Sequence, residues 1–151
     1  MKNIIVYLSV ICVVVLGFGC KKSNNISPNA QLIAATYTAT KVEMSQTNNG
    51  TGWTDITRIG VREVLTIEDK KSFTTAWQNI STGIIADPIS GTWTLSADGN
   101  TISFLTFFGT QDYTITSLTA TDMVVTLKGP NKLTPWDSAI YPYYRITYTR
   151  S

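Results

Sequence analysis

Strict alternation of apolar and polar residues constrains this chain more than any other feature, and it is clearest between Gly91 and Phe108. Trp93 and Leu95 alternate with Thr92, Thr94 and Ser96, which is the period of a half-buried strand and not of a helix. Ala97-Asp98-Gly99-Asn100 then supplies a tight turn, because Asp tolerates left-handed dihedrals and Gly adopts them freely. Ile102 and Phe104 resume the alternation on the return strand. The segment is a β-hairpin, and the remaining strands read as neighbours added on either side of it.

From Ala35 to Ser45 a first strand places Tyr37 and Ala39 inward. Its phase then slips so that Val42 and Met44 face inward, the signature of a bulge near Thr40-Lys41. Asn48-Asn49-Gly50-Thr51-Gly52 opens a connection that runs through Trp53 to about Gly60. Val61 to Glu68 is a second strand with Leu65 and Ile67 inward, and Glu68-Asp69-Lys70-Lys71 makes a charged turn. Phe73, Thr75 and Trp77 alternate along a third strand, and Asn79 to Ile89 reads as a long connection. The opening hairpin supplies strands four and five. Gly109-Thr110-Gln111 turns into strand six, Asp112 to Leu118, with Tyr113 and Ile115 on one face. After Thr119 to Asp122, strand seven runs from Met123 to Lys128. Gly129 to Pro142 holds three prolines and is excluded from a central strand. Tyr144, Ile146 and Tyr148 end the domain on strand eight.

Eight strands in sequence and no amphipathic helix predict an all-β domain, an eight-stranded up-and-down antiparallel barrel. Closure removes the edges that an open sheet must protect. The alternative is a β-sandwich, since strand count alone does not separate the two. Abundant threonine at alternate positions fits the solvent face of such strands. Tyr37, Phe73, Trp77, Trp93, Phe104, Tyr113, Tyr144 and Tyr148 all fall on the inward phase. An eight-stranded barrel is only just wide enough to be filled by side chains, so these rings predict a packed interior or a narrow pocket. Leu105 and Phe107 fall outward, with Phe108 following on the other face.

The N-terminus reads as an address. Met1-Lys2-Asn3 is a basic n-region, and Ile4 to Phe18 is an apolar run of about 22 Å as a helix, short of the roughly 30 Å bilayer core. Leu16-Gly17-Phe18-Gly19-Cys20 resembles a bacterial lipobox, which implies cleavage before Cys20 and acylation of its thiol and amine. The alternative is an ordinary signal peptide that happens to contain a cysteine. Residues 1–19 are therefore read as a lipoprotein signal peptide, 20–30 as a tether from lipidated Cys20, and 31–151 as the barrel domain. Cys12 is the only other cysteine and would leave with the signal peptide. The partner implied is a membrane, reached through the N-terminal lipid, and the expected location is a bacterial cell envelope. Lys21-Lys22 stand where an acidic surface-export signal would sit, which favours a periplasm-facing protein.

Ser90 to Ser96, the Asp98-Gly99 turn, Tyr113 to Thr119 and Met123 to Leu127 together resemble the lipocalin-like domains of Bacteroidetes lipoproteins. The resemblance spans roughly Gln31 to Arg150. It implies an eight-stranded barrel with a binding role.

Catalytic chemistry is poorly provided for. The chain has no histidine, so the commonest general base and metal ligand is missing, and an acylated Cys20 is no nucleophile. No Gly-rich phosphate loop leads from a strand into a helix. No catalytic residue, metal site or cofactor is expected, and the protein reads as a non-enzyme. A formal charge of +2, spread evenly, gives no stripe for nucleic acid. Glu63 shares the face of Leu65 and Ile67, where a carboxylate could bind a cationic group, unless the strand end lets it reach water. Asp137-Ser138-Ala139 resembles an O-glycosylation acceptor at Ser138.

Loop lengths set an orientation. In an up-and-down barrel successive connections alternate between the two ends. The tight turns at Asp69–Lys71, Ala97–Asn100 and Thr119–Asp122 share one end, and the long connections 46–60, 79–89 and 129–142 share the other. Trp53, Trp136 and Tyr141 would meet at that loop-rich mouth, with Glu63 as the interior candidate. A small apolar or aromatic ligand is the expected occupant. The competing expectation is an accessory lipoprotein with a filled core that contacts an envelope protein.

Overall fold

A computed structural model describes residues 33–47, 51–129, 133 and 142–151. The segments read as signal peptide and tether, with Cys20, and Trp136, Asp137, Ser138 and Tyr141 lie outside these. Among the described residues nine strands follow in order: β1 Ala35–Ser45, β2 Thr54–Asp55, β3 Val61–Ile67, β4 Ser72–Asn79, β5 Ile85–Leu95, β6 Thr101–Thr106, β7 Gly109–Leu118, β8 Asp122–Lys128 and β9 Tyr143–Arg150. Neighbours pair antiparallel from β3 through to β9, and β1 pairs with both β3 and β9. The result is a closed eight-stranded antiparallel barrel, lipocalin-like in form, with the two-residue β2 added outside it. The sandwich alternative is set aside by closure, since β1 runs along β9 from Tyr37 to Ser45.

The register of β1 on β9 shifts between Ala39 and Lys41. That extra residue moves Val42 and Met44 onto the core face, as the phase slip predicts. The central hairpin is likewise in the expected register: Trp93 faces Phe104, with Trp93 buried and Thr94 exposed.

Three readings need correction. The connection expected over 79–89 is short, because β5 begins at Ile85 and leaves only residues 80–84 between the strands. Asp87-Pro88, a pair that ordinarily marks a turn, lies within β5, and Asp87 has a φ of 51° where the β4–β5 register shifts. A bulge absorbs both residues within the strand. Residues 109–111, read as a turn, open β7, and the turn is Phe107-Phe108 alone. Within the 46–60 connection, Thr54 and Asp55 pair with Met44 and Glu43 as the ninth strand. No two-residue strand can show a period.

Rings fill most of the interior. Phe73 lies 4.6 Å from Phe104, Phe104 5.5 Å from Tyr113, and Tyr37 6.4 Å from Tyr148, between centroids. Ile33, just before β1, and Leu133, from between β8 and β9, are fully buried in the same core. Trp77 is the exception among the inward aromatics, only half-buried. All seven exposed large hydrophobics among the described residues, Ile59, Ile80, Ile84, Ile85, Leu105, Phe107 and Phe108, lie in or beside connections at the loop-rich end.

Candidate functional site

The barrel wall is incomplete at one place. β1 pairs with β3 only from Ala35 to Thr38, and with β2 only at Glu43 and Met44. Between these ladders the segment leading to β3 crosses the gap. The Ile56 N–H donates to the Val42 carbonyl at 2.8 Å, and the Val42 N–H donates to Thr57 Oγ1 at 2.9 Å. Thr57 is itself pinned, its N–H and hydroxyl both donating to Asp55 Oδ1. These bonds hold Asp55's carboxyl below its ordinary value.

Behind this crossing lies a cavity of about 20 Å³, room for about one water. Ala39, Val42, Val61 and Trp77 make it mainly apolar, Ile56 to Arg58 close it laterally, and Glu63 stands at its inner end. An open groove of about 200 Å³ adjoins it on the outside, lined by Thr38, Thr40 and Ile80 and sharing Ala39, Thr57, Arg58, Val61 and Arg62 with the cavity.

Glu63 is only 3 % exposed, so it does not reach water at the strand end. Thr75 Oγ1 donates to its Oε1 at 2.7 Å and the Tyr148 hydroxyl to its Oε2 at 3.1 Å. These two hydroxyls fix the orientation of the carboxylate. Burial pushes the Tyr148 phenol well above its ordinary value, and the neighbouring Glu63 charge pushes it the same way. Arg58 sits 5.3 Å from the Trp77 ring centroid at the cavity's outer wall, and Arg62 Nε donates to Gln78 Oε1 at 2.9 Å.

Trp53 lies elsewhere. Its ring packs on the Arg145 guanidinium at 4.6 Å. Arg145 donates to Glu43 Oε2 at 2.7 Å, and Lys41 pairs with Glu43 Oε1 at 2.9 Å. Glu43 and Arg145 face each other on the outer side of β1 and β9, opposite in phase to Val42 and Ile146. Trp53 therefore covers the outside of the wall while Glu63 lies inside, and the two do not form one site. The Trp53 Nε1 is buried with no acceptor among the described residues. Sequence reasoning found Glu63 from its phase but missed Ile56, Thr57 and Arg58, which sit in an aperiodic connection. It used Trp77 only as core.

Among the described residues no group of three His, Cys, Asp or Glu could hold a metal ion, and no helix is long and apolar enough to cross a membrane. No family model matches the chain, and no curated protein is similar to it in sequence.

Proposed function

We propose that this is a lipid-anchored cell-envelope protein whose lipocalin-like barrel binds a small ligand at the loop-rich end. The observation that carries the reading is Glu63, a carboxylate buried beside an apolar cavity at that end. Burying a carboxylate is costly, and a core formed only for stability has no need of one. The apolar lining suits a ligand with an apolar or aromatic body. The anchor rests on the run Leu16 to Cys20. β1 starts at the tight-turn end, so a tether of about 35 Å at most would turn the loop-rich end away from the membrane, towards the periplasm. Native mass spectrometry of the protein purified from its own envelope tests the reading. A retained small molecule is expected, and a bare mass under gentle desolvation would count against it.

The competing reading is an accessory lipoprotein acting through protein contacts, and it is favoured by the apolar residues at the same end. Phe107 is 99 % exposed beside Phe108, their rings 5.8 Å apart, with Leu105 next to them. Co-purification of a stoichiometric protein that is lost on Phe107→Ser would select this reading.

A further inference from the structure

We infer that Asp87-Pro88 is an edge guard, which keeps the open edge of β5 from pairing with the same edge of a second copy of this chain. The inference goes beyond the ligand reading and does not depend on it.

The edge is open because two neighbouring hairpins differ in length. β5 pairs with β4 from Ile85 to Thr92, interrupted only at the register shift. Its ladder with β6 runs only from Thr92 to Leu95, because the chain leaves β6 after Thr106 and turns back at Phe107-Phe108. Among the described residues, 85–91 therefore have a strand neighbour on one side alone. Backbone groups of successive strand residues point to opposite edges. The Ile84 carbonyl accepts from the Asn79 N–H at 2.9 Å, and the Trp93 N–H donates to the Lys71 carbonyl at 2.8 Å, both towards β4. Ile85 and Ser90 consequently present their N–H and carbonyl groups on the open side. Ile85, Leu105, Phe107 and Phe108 are exposed around it, so an added strand would find apolar side chains to pack on. Such an edge is a template for association.

Asp87-Pro88 breaks the template in its middle. Thr75 pairs with Ile89 and Trp77 with Ala86, so Asp87 and Pro88 both stand against Ala76, one residue more than a regular ladder holds. Asp87 takes a left-handed φ of 51° there, which Asp tolerates better than most residues. In a regular strand, residues that bond to the same side are an even number apart. Ile85 and Ser90 are an odd number apart, so a regular strand cannot bond to both. Pro88 has no N–H to offer, and prolines within sheets keep to such edges. A two-fold pairing centred on the bulge would also bring two Asp87 carboxylates together, and like charges across a ladder destabilise it. Asp87 and Pro88 are both exposed, so core packing does not explain their place. The other break in the wall, between β1 and β3, is covered by the crossing at Ile56 and Thr57.

The test is sedimentation equilibrium of the full chain in density-matched detergent over a concentration series, with amide hydrogen exchange read at Ile85 and Ser90. The parent is expected to stay monomeric. Pro88→Thr returns the missing donor, and the same substitution combined with removal of Asp87 also restores a regular ladder. Each should self-associate at least tenfold more tightly than the parent, the combined change the more tightly of the two. Exchange at Ile85 and Ser90 should slow at least tenfold in the associated form. Circular dichroism checks that each variant folds, and if removal of Asp87 prevents folding, Pro88→Thr decides alone. A folded Pro88→Thr protein as monomeric as the parent would overturn the inference. So would association that leaves exchange at those two amides unchanged and is abolished by Phe107→Ser, since side chains and not the edge would then make the contact. A parent that itself associates with those amides protected would overturn it too.

Discussion

The Tyr148 hydroxyl donates to the Glu63 carboxylate at 3.1 Å, joining residues 85 positions apart. β9 and β3 are not neighbours in the sheet, since β1 runs between them. The bond therefore crosses the barrel interior, and it exists only because the sheet closes. It ties the candidate site to a fully buried tyrosine of the last strand.

This bond predicts alkaline sensitivity. Tyr148's phenol titrates well above its ordinary value of 10.0 when folded, so above about pH 10 the folded chain holds a proton that the unfolded chain releases. Its contribution to stability is full below the unfolded value and is lost as pH rises towards the folded one. Urea midpoints should fall from about pH 10 upward, and Tyr148→Phe should flatten that fall. The same variant should cost about 1–3 kcal/mol at neutral pH by removing a donor to a buried carboxylate.

Glu43 gives the opposite sign. The hydrogen bond from Arg145 is the main cause holding its carboxyl below the ordinary value of 4.5, with Lys41 assisting and burial opposing. That contribution is present above the unfolded value and is lost as pH falls through the folded one. Glu43→Gln should cost about 1 kcal/mol near neutrality, discounted for the partly exposed arginine. The gap to the parent should close below about pH 4 in urea titrations.

The core is tested at Trp93, whose Nε1 donates to the Glu68 carbonyl at 2.8 Å and whose face carries Lys71 Nζ at 4.0 Å. Trp93→Ala should destabilise by about 3–5 kcal/mol. Thr94→Ala, on the outer face, should change stability by well under about 1 kcal/mol. Equal effects in chemical denaturation would contradict the register.

Gly91 is a position where a methyl group cannot enter. A Cβ there would lie 2.0 Å from the Leu105 carbonyl oxygen and 2.8 Å from Phe73 Cε1. The first obstacle is backbone, so it cannot turn aside. Gly91→Ala should cost about 3 kcal/mol, read from the thermal midpoint, although alanine at an unobstructed strand position is ordinarily tolerated.

The anchor is tested at Cys20. Cys20→Ser should leave an uncleaved or soluble species that no longer fractionates with membranes. Maturation of the variant to the same membrane-bound, acylated form would remove the lipobox reading.

What the sequence determined by itself is the wall of the barrel. Period-two alternation specifies which side of each strand is apolar, because a slip of one residue would expose a whole face. That is why Trp93, Phe104, Tyr113 and Tyr148 were legible as interior, and why the slip at Thr40-Lys41 was legible as a bulge. The tertiary structure decided what has no period. Asp87-Pro88 became a bulge only because β4 offered a partner on the far side of it. Thr54-Asp55 became a strand only because β1 leaves β3 beyond Thr38 and needs a neighbour for Glu43 and Met44. Trp53 and Glu63 share no site because the wall of β1 lies between them, a fact of three-dimensional closure that no local pattern encodes. The cavity beside Arg58, Glu63 and Trp77 has the same origin. Its residues come from two strands and an irregular crossing, and long-range pairing alone brings them together.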